Sequence, residues 1–494
     1  MESTFEKRQL VGLVLGPLFL VAMQLLPAPD GMSEAAWNTA SVAMLMATWW
    51  ITEAIPIPIT SLIPIVLFPM MGVLKIGEAT APYADPVVYM FMGGFIIALA
   101  MEKWNLHKRI ALGIIQKVGT SPERLILGFM ISAAFISMWI NNTATTMMML
   151  PIALSVVRLL YSEGENKDQH NFVVVLMLAI AHASTIGGIG TLIGTAPNMF
   201  FAGFMSKTYG IQIGFLEWML AVMPLVLLAI PLVTVILTRF VFPIKIKEIE
   251  GAKEMVAREK SRLGSLSMAE MWVGFAFLLV AFLWVFKSLS EPVFGLKTPF
   301  LSDAGIGITG CVILFLIPLN LKRGVFVMDW QTASKLPWEL ILLFGGGLSL
   351  AEAIGTSGLA VWIGNSLSAL SVLPTLLLLF CIVVLTIILT EFTSNTALTA
   401  TLLPVLGPVA LQMGENPLLL LIPATIAAST GFMMPVGTPP NAIVYGTGYI
   451  KVTDMIRAGI WLNLLFAVLV TALAYTLIIW VFGIQFGQIP NWAR

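Results

Sequence analysis

Four stretches of the chain, Leu10–Leu26, Met219–Leu237, Met271–Phe286 and Ile460–Phe482, are apolar almost without interruption. Each approaches or exceeds the roughly 18–20 residues that a helix needs to cross the hydrocarbon of a bilayer. No water meets the backbone there, so every N–H and C=O must be satisfied inside the protein, and only helices and closed barrels achieve that. A barrel would show alternating segments of about ten residues, and none are visible. The shorter run Leu376–Leu389 has the length of a re-entrant or buried helix. Composition agrees: 58% of the 494 residues are hydrophobic and 11% are charged, against about 25% charged in a soluble domain. The sequence predicts an all-α polytopic membrane protein embedded in the lipid bilayer.

The N-terminus, MESTFEKRQL, runs into the first apolar stretch with no small-residue cleavage site after it, so it is expected to be a retained first helix within residues 1–35. Cys311 and Cys381 lie in apolar segments, which makes a disulfide framework an unsuitable reading, and no CxxC or His/Cys cluster suggests zinc. A formal net charge of zero argues against a general nucleic-acid surface.

Lysine and arginine place the loops. The stretch "PIKIKEIEGAKEMVAREKSR" at 243–262 carries six basic and four acidic residues and reads as a solvated loop or surface helix. Basic loops stay cytoplasmic. With this one inside, Lys7/Arg8, the cluster Lys103, Lys108, Arg109, Lys117 and Arg124, the pair Lys322/Arg323, and Lys451/Arg457 also fall inside. Segments 28–35, 353–372 and 411–417, which lack Lys and Arg, fall outside. The count works if 122–158 and 372–412 each enter and leave on one side, as re-entrant hairpins. It places the N-terminus in the cytoplasm and the C-terminus outside, and a short chain with compact loops fits a bacterial inner (plasma) membrane.

The same two segments carry polar clusters where apolar residues are expected: "SMWINNTATTMMMLP" and "EFTSNTALTATLLP". They belong to a repeat. Matching Gly93-Gly94 to Gly345-Gly346 gives an offset of 252; Asn142 to Asn395 and Pro151 to Pro404 give 253; "GTAPN" (194–198) to "GTPPN" (437–441) gives 243. Three motifs recur in one order, so the chain is read as a duplication, 36–242 and 269–494, joined by a cytoplasmic linker at 243–268. The charge count inverts one half relative to the other, the architecture of many secondary transporters.

The chemistry of the motifs follows from the medium. Irregular backbone inside a membrane occurs only where it is buried in protein or lines a cavity. At a hairpin tip, the helix that begins offers free N–H groups and a positive dipole end, suited to an anion; the helix that ends offers free carbonyls, suited to a cation. Asn141–Thr143 and Ser394–Thr396 are expected at the tips. GTAPN and GTPPN read as breaks in two further spans, since Gly permits unusual φ and Pro removes a donor. No Lys or Arg is near these motifs in sequence, so a bound anion is expected to meet helix ends, amides and bound ions. Two unit charges about 4 Å apart at an effective dielectric of 20 attract by roughly 4 kcal/mol, so bound sodium ions could supply much of the affinity.

These residues resemble the divalent anion/sodium symporters, the sodium-dependent di-/tricarboxylate or sulfate transporters. The resemblance rests on "MWINNTATTMMMLP", "EFTSNTALTATLLP", "GTAPN", "MPVGTPPN" and "WWITEAIPIPITSLIP" (49–64), and covers the chain from about 36 onward. It implies about eleven transmembrane helices plus two re-entrant hairpins in an inverted repeat, a homodimer, and elevator-type transport. It implies one sodium site at Ser137, Asn141, Asn142 and Gly194 and another at Thr390, Thr393, Asn395 and Gly437. Substrate carboxylates would contact Asn142, Thr143, Asn395 and Thr396, with Thr195 and Thr438 nearby. The family's usual tip tripeptide is Ser-Asn-Thr; here the first is Asn141-Asn142-Thr143, and an amide keeps an oxygen ligand while adding donors.

Plainer readings stand beside these. Ser, Thr and Asn also join helices by hydrogen bonds without any ligand. Glu53, Glu102, Glu352 and Glu391 lie in or near spans, where acids are functional by default; Glu102 and Glu352 suit span-end pairing, and Glu391 suits either the second sodium site or a structural contact. His182 reads as a satisfied packing residue, and Met147–Met149 as hairpin packing. The function expected is sodium-coupled import of C4-dicarboxylates such as succinate, malate or fumarate, with a sodium-independent dicarboxylate/citrate exchanger and a sulfate symporter as alternatives. An enzyme would need a nucleophile or metal constellation that His107, His170 and His182 are too scattered to form, and two hairpins around one site suit occlusion better than a channel.

Overall fold

The four apolar runs fold as the helices Lys7–Leu25, Phe215–Val235, Met268–Phe294 and Val452–Leu473 in the computed structural model, which describes residues 7–161, 167–296, 300–366 and 373–493. Among the described residues, eight helices are long and apolar enough to cross a membrane. Four more apolar helices, Ile57–Met70, Asp303–Leu316, Thr375–Thr390 and Leu418–Ala428, are too short to cross alone. The β structure among the described residues is one antiparallel ribbon, Pro318–Asn320 with Val325–Phe326, carrying Lys322 and Arg323 at its turn.

Burial sorts the spans. Asp168–Ile189 is wholly buried, whereas Lys7–Leu25 and Met268–Ser290 turn most of their apolar side chains outward. Leu10, Leu278 and Phe282 are more than half exposed, as expected of residues that lipid covers. Association inside a bilayer relies on close packing rather than on the hydrophobic effect, and glycine provides it here. A Cβ on Gly93 would strike the backbone of Gly307, fusing Pro86–Lys103 to Asp303–Leu316. In Trp338–Thr356, Gly345 packs on the Tyr83 ring and Gly346 on the backbone of Ser61. Gly12 and Gly16 seat the first helix against Thr52 and Trp49 of Glu34–Thr52.

The first expected hairpin forms the helix pair Pro122–Ser137 and Asn142–Tyr161; the second forms Thr375–Thr390 and Asn395–Gln412, its expected start at 372 lying outside the described residues. Each pair is followed by a buried helix that stops abruptly and a shorter one that resumes: Lys167–Ile189 then Ala196–Tyr209, and Leu418–Ala428 then Pro439–Tyr445. The two sets interlock, because Pro439–Tyr445 packs against Asn142–Tyr161 while Ala196–Tyr209 packs against Asn395–Gln412. The final span of each set ends in a π-helical turn, Ile236–Val241 and Ala474–Ile478. The charged linker forms the surface helix Ala252–Arg262, anchored through Arg109, whose guanidinium donates to Glu270 at 2.7 Å and to the carbonyls of Leu263, Gly264 and Ser265.

Candidate functional site

The tips come first. The helix Pro122–Ser137 runs out through a tight turn in which Ile140 N donates to Ile136 O. Asn141 starts the next helix: its Oδ1 accepts from Ala144 N at 2.8 Å, satisfying a donor that every helix N-terminus leaves free. Ser394, at the equivalent place in the second pair, caps no N–H with its side chain. The asparagine at 141 therefore works as a helix cap, with its carboxamide oxygen committed to the backbone.

One residue further on, both tips do the same thing. The inner atom of the Asn142 carboxamide faces three oxygens, Ser137 Oγ at 2.7 Å and the carbonyls of Gly194 and Ser184 at 3.2 Å each. The inner atom of Asn395 faces Thr390 Oγ1 at 2.6 Å, Gly437 O at 3.1 Å and Ala428 O at 3.2 Å. With Nδ2 turned inward, each amide donates to these groups. With Oδ1 turned inward, the set is almost purely acceptor, an arrangement that a hard cation holds together. Ser137 and Thr390 are fully buried behind their amides. Thr393 is less committed to this cluster: its hydroxyl donates back to Leu389 O at 2.9 Å.

The breaks are matched as closely. Thr195 (φ −144°, ψ 147°) and Thr438 (φ −142°, ψ 148°) adopt one backbone conformation ahead of helices that open with proline. Behind them, Asn198 Nδ2 lies 3.3, 3.1 and 2.8 Å from the carbonyls of Gly188, Ile189 and Thr191, and Asn441 Nδ2 lies 3.3 and 3.0 Å from those of Gly431 and Met434. Both asparagines are fully buried. They clamp the unwound carbonyls in place, a role that the sequence motifs contained but that their spacing alone did not reveal.

Tips and breaks meet around one cavity of about 470 Å³. Asn141, Asn142, Thr143, Gly194 and Thr195 line it from the first set, and Thr393, Asn395, Thr396, Gly437 and Thr438 from the second. The opposite wall comes from Ile57, Phe95, Leu340 and Leu343. Four helices begin at this cavity, at Asn142, Ala196, Asn395 and Pro439. Charge stays out of the tips: the charged lining residues, among those described, are Arg8, Glu53 and Glu339, all at the rim. Arg8 was not foreseen, because it reaches the cavity from the far N-terminal end of the sequence.

Residues 7–484 match the sodium:sulfate symporter transmembrane region. The chain belongs to this symporter family. It is 41% identical over 493 residues to the sodium-dependent dicarboxylate transporter SdcS of Staphylococcus saprophyticus, covering 98% of this chain and 94% of the relative. It is 38% identical over 492 residues to SdcS of Staphylococcus aureus (strain USA300), covering 99% and 94%. Solved structures of the YdaH transporter of Alcanivorax borkumensis and of MtrF of Neisseria gonorrhoeae share the fold, each with a TM-score of 0.59. The first is 15% identical and covers 94% of this chain and 98% of YdaH; the second is 14% identical and covers 98% and 96%. Like its family, the chain is a membrane transporter and not an enzyme.

For a member of the sodium:sulfate symporter family, the remaining singled-out residues have definite positions. Glu391 is buried, and its carboxylate accepts from the backbone N–H groups of Phe432, Met433 and Met434 at 2.8–3.0 Å and from Asn463 Nδ2 at 2.7 Å. It ties the second tip to the loop that leads to Gly437. The first half has Met138 at that place (391 minus the offset of 253), where the Met138 carbonyl accepts from Thr191 Oγ1. Glu352 pairs with Lys207 at 3.0 Å, and Glu102 is exposed. His182 is not the satisfied residue expected: it is fully buried edge to face against Phe432, ring centroids 5.1 Å apart, and neither ring nitrogen has a hydrogen-bond partner among the described residues.

Proposed function

We propose that this transporter imports C4-dicarboxylates such as succinate, malate or fumarate across the inner (plasma) membrane, driven by sodium. The observation that carries the reading is the pair of matched oxygen sets, Ser137/Asn142/Gly194/Ser184 and Thr390/Asn395/Gly437/Ala428, on either side of a single cavity. In the family's residue assignments Asn141 and Thr393 complete the two sodium sites. Hydroxyl, amide and unwound carbonyl oxygens suit a monovalent hard cation, and helix breaks at mid-membrane are where transporters of this type bind such ions. The names of the SdcS relatives, sodium-dependent dicarboxylate transporters, support the same pairing of cargo.

The anion would lie between the tips, against Asn142, Thr143, Asn395 and Thr396, with Thr195 and Thr438 nearby. The helices starting at Asn142, Ala196 and Asn395 present positive dipole ends to it. Sodium supplies the rest through the amides. Without the ion, Nδ2 of Asn142 or Asn395 turns inward to its three oxygens and leaves Oδ1 facing the cavity, where it repels a carboxylate. With sodium inside, Oδ1 turns to the ion and Nδ2 is free to donate to the carboxylate. Cation and anion thus favour one orientation of the same side chain, and coupling follows.

The Arg8 and Glu339 end of the cavity is the cytoplasmic end by the distribution of basic loops, so this is the inward-open arrangement of an elevator cycle. The glycine-packed helices form its frame, the tips and breaks its moving unit, and a homodimer its assembly. The test is sodium-gradient-driven uptake of labelled succinate in vesicles, with choline replacing sodium and with citrate and sulfate as competitors. Uptake that rises sigmoidally with sodium and is blocked by malate and fumarate is expected. Uptake unchanged in choline would instead select the exchanger, and displacement by sulfate alone the sulfate symporter.

A further inference from the structure

The neutral tips leave one question open: how a dianion crosses the rim. Arg8 is the only cation among the described lining residues, and helix packing holds it there. Gly12 and Gly16 let the first helix sit directly on Glu34–Thr52, Trp49 Nε1 donates to Gly12 O at 3.0 Å, and Gln9 Nε2 donates to Glu53 O at 3.2 Å. Glu53 closes its helix in the left-handed region (φ 51°, ψ 39°), one of two non-glycine residues with positive φ among those described. Backbone strain of that kind persists where surrounding contacts over-determine it, and it clusters at functional positions. The strained residue is the one whose carboxylate meets Arg8, Nη2 to Oε2 at 3.5 Å.

That pair is loose. Its side chains are 40% and 41% exposed, so water and salt screen it and its net contribution is small. A guanidinium held this weakly exchanges one carboxylate for another at little loss, and its planar fork fits any of them. Glu339 on the facing rim is exposed and acidic, so an anion is steered toward the Arg8 side.

We propose that Arg8 and Glu53 form an exchangeable anion relay at the mouth of the cavity. Arg8 releases Glu53 to take one carboxylate of the passing dianion, and Glu53 reclaims it when the anion has left. Arg8 acts on transit between bulk and tips and takes no part in holding the sodium ions. The inference rests on the dicarboxylate reading above.

The test uses the full chain carrying Arg8→Gln, Arg8→Lys or Glu53→Gln, in everted and right-side-out membrane vesicles, with labelled succinate. Arg8→Gln should raise KM about fivefold for succinate presented at the mouth, the factor that about 1 kcal/mol supplies, with the half-saturating sodium concentration unchanged. Arg8→Lys should fall between it and the parent. Glu53→Gln should move KM the other way and lower kcat for exit, because the anion loses its competitor. The KM difference between Arg8→Gln and the parent should shrink in high salt. A parental KM in Arg8→Gln, or a KM rise in both Arg8→Gln and Glu53→Gln, overturns the relay; if Arg8→Gln fails to accumulate, an unchanged KM in Glu53→Gln does so. Absence of succinate transport in the parent chain overturns the dicarboxylate reading instead, whereas a transporting parent with silent variants removes only the relay.

Discussion

Asn198 and Asn441 make the same bonds in the two halves of the chain: each turns its Nδ2 back onto the carbonyls of the loop before its own helix, Gly188 and Thr191 in one case, Gly431 and Met434 in the other. These loops carry Gly194 and Gly437. Replacing either asparagine by alanine strands buried carbonyls, at about 1–3 kcal/mol for each group left unsatisfied. Asn198→Ala and Asn441→Ala should each lower the melting temperature of the detergent-solubilised protein and shrink the rise that sodium gives over choline. A sodium increment equal to the parent's would show that the clamp does not serve the cation.

The amide reading separates cation from anion binding. In Asn142→Asp or Asn395→Asp both terminal atoms are oxygens, so the inner position still suits sodium while the outer one repels a carboxylate. Sodium-induced thermal stabilisation should survive, and succinate binding should fall at least about tenfold, equivalent to about 1.4 kcal/mol. Retained succinate affinity in both variants would remove the amide from the coupling.

Gly188 admits no side chain. A Cβ there would overlap the Asn142 carboxamide oxygen, with the amide already wedged against Ser137. Gly188→Ala should accumulate in the membrane but lose sodium-driven uptake, while Gly113→Ala, whose added methyl would meet nothing within 4 Å, should transport normally. Equal uptake by the two would contradict the packing.

Glu391 is surrounded by donors, four N–H groups converging on one carboxylate. A glutamine sets its own NH2 against some of them. Hydrogen bonds to a charged group contribute about 1.5–3 kcal/mol, so Glu391→Gln should melt earlier than the parent, and Asn463→Ala, which removes one donor, should melt earlier by less. Uptake assayed at saturating sodium should recover more fully than uptake at low sodium. The reverse order of the two melting temperatures would mean that the carboxylate is not the organising group.

Much of this site was legible because membranes penalise polar residues, so NNTATT and SNTALT stand out against their surroundings. Proline and glycine marked the breaks for the same reason. Asn141 could have been understood as well: an asparagine just ahead of a helical run is a capping signal whatever family it sits in. What escaped the sequence was long-range. Arg8 reaches the cavity only because Gly12 and Gly16 let two helices touch, and Glu391 finds its donors 41–43 residues onward, in a loop with no periodic signal. His182 looked like a residue that would find a partner, and packing against Phe432 leaves it without one among the described residues.

The contact between Gly93 and Gly307 has a mechanical consequence. Two backbones touching with no side chain between them have nothing that can re-sort, and a slide along either helix would drive a Cβ into the facing main chain. That seam behaves as a weld. Any travel of cargo through this molecule has to be taken up along joints lined by longer, rotatable side chains, with the welded pair serving as the fixed keel against which they slip.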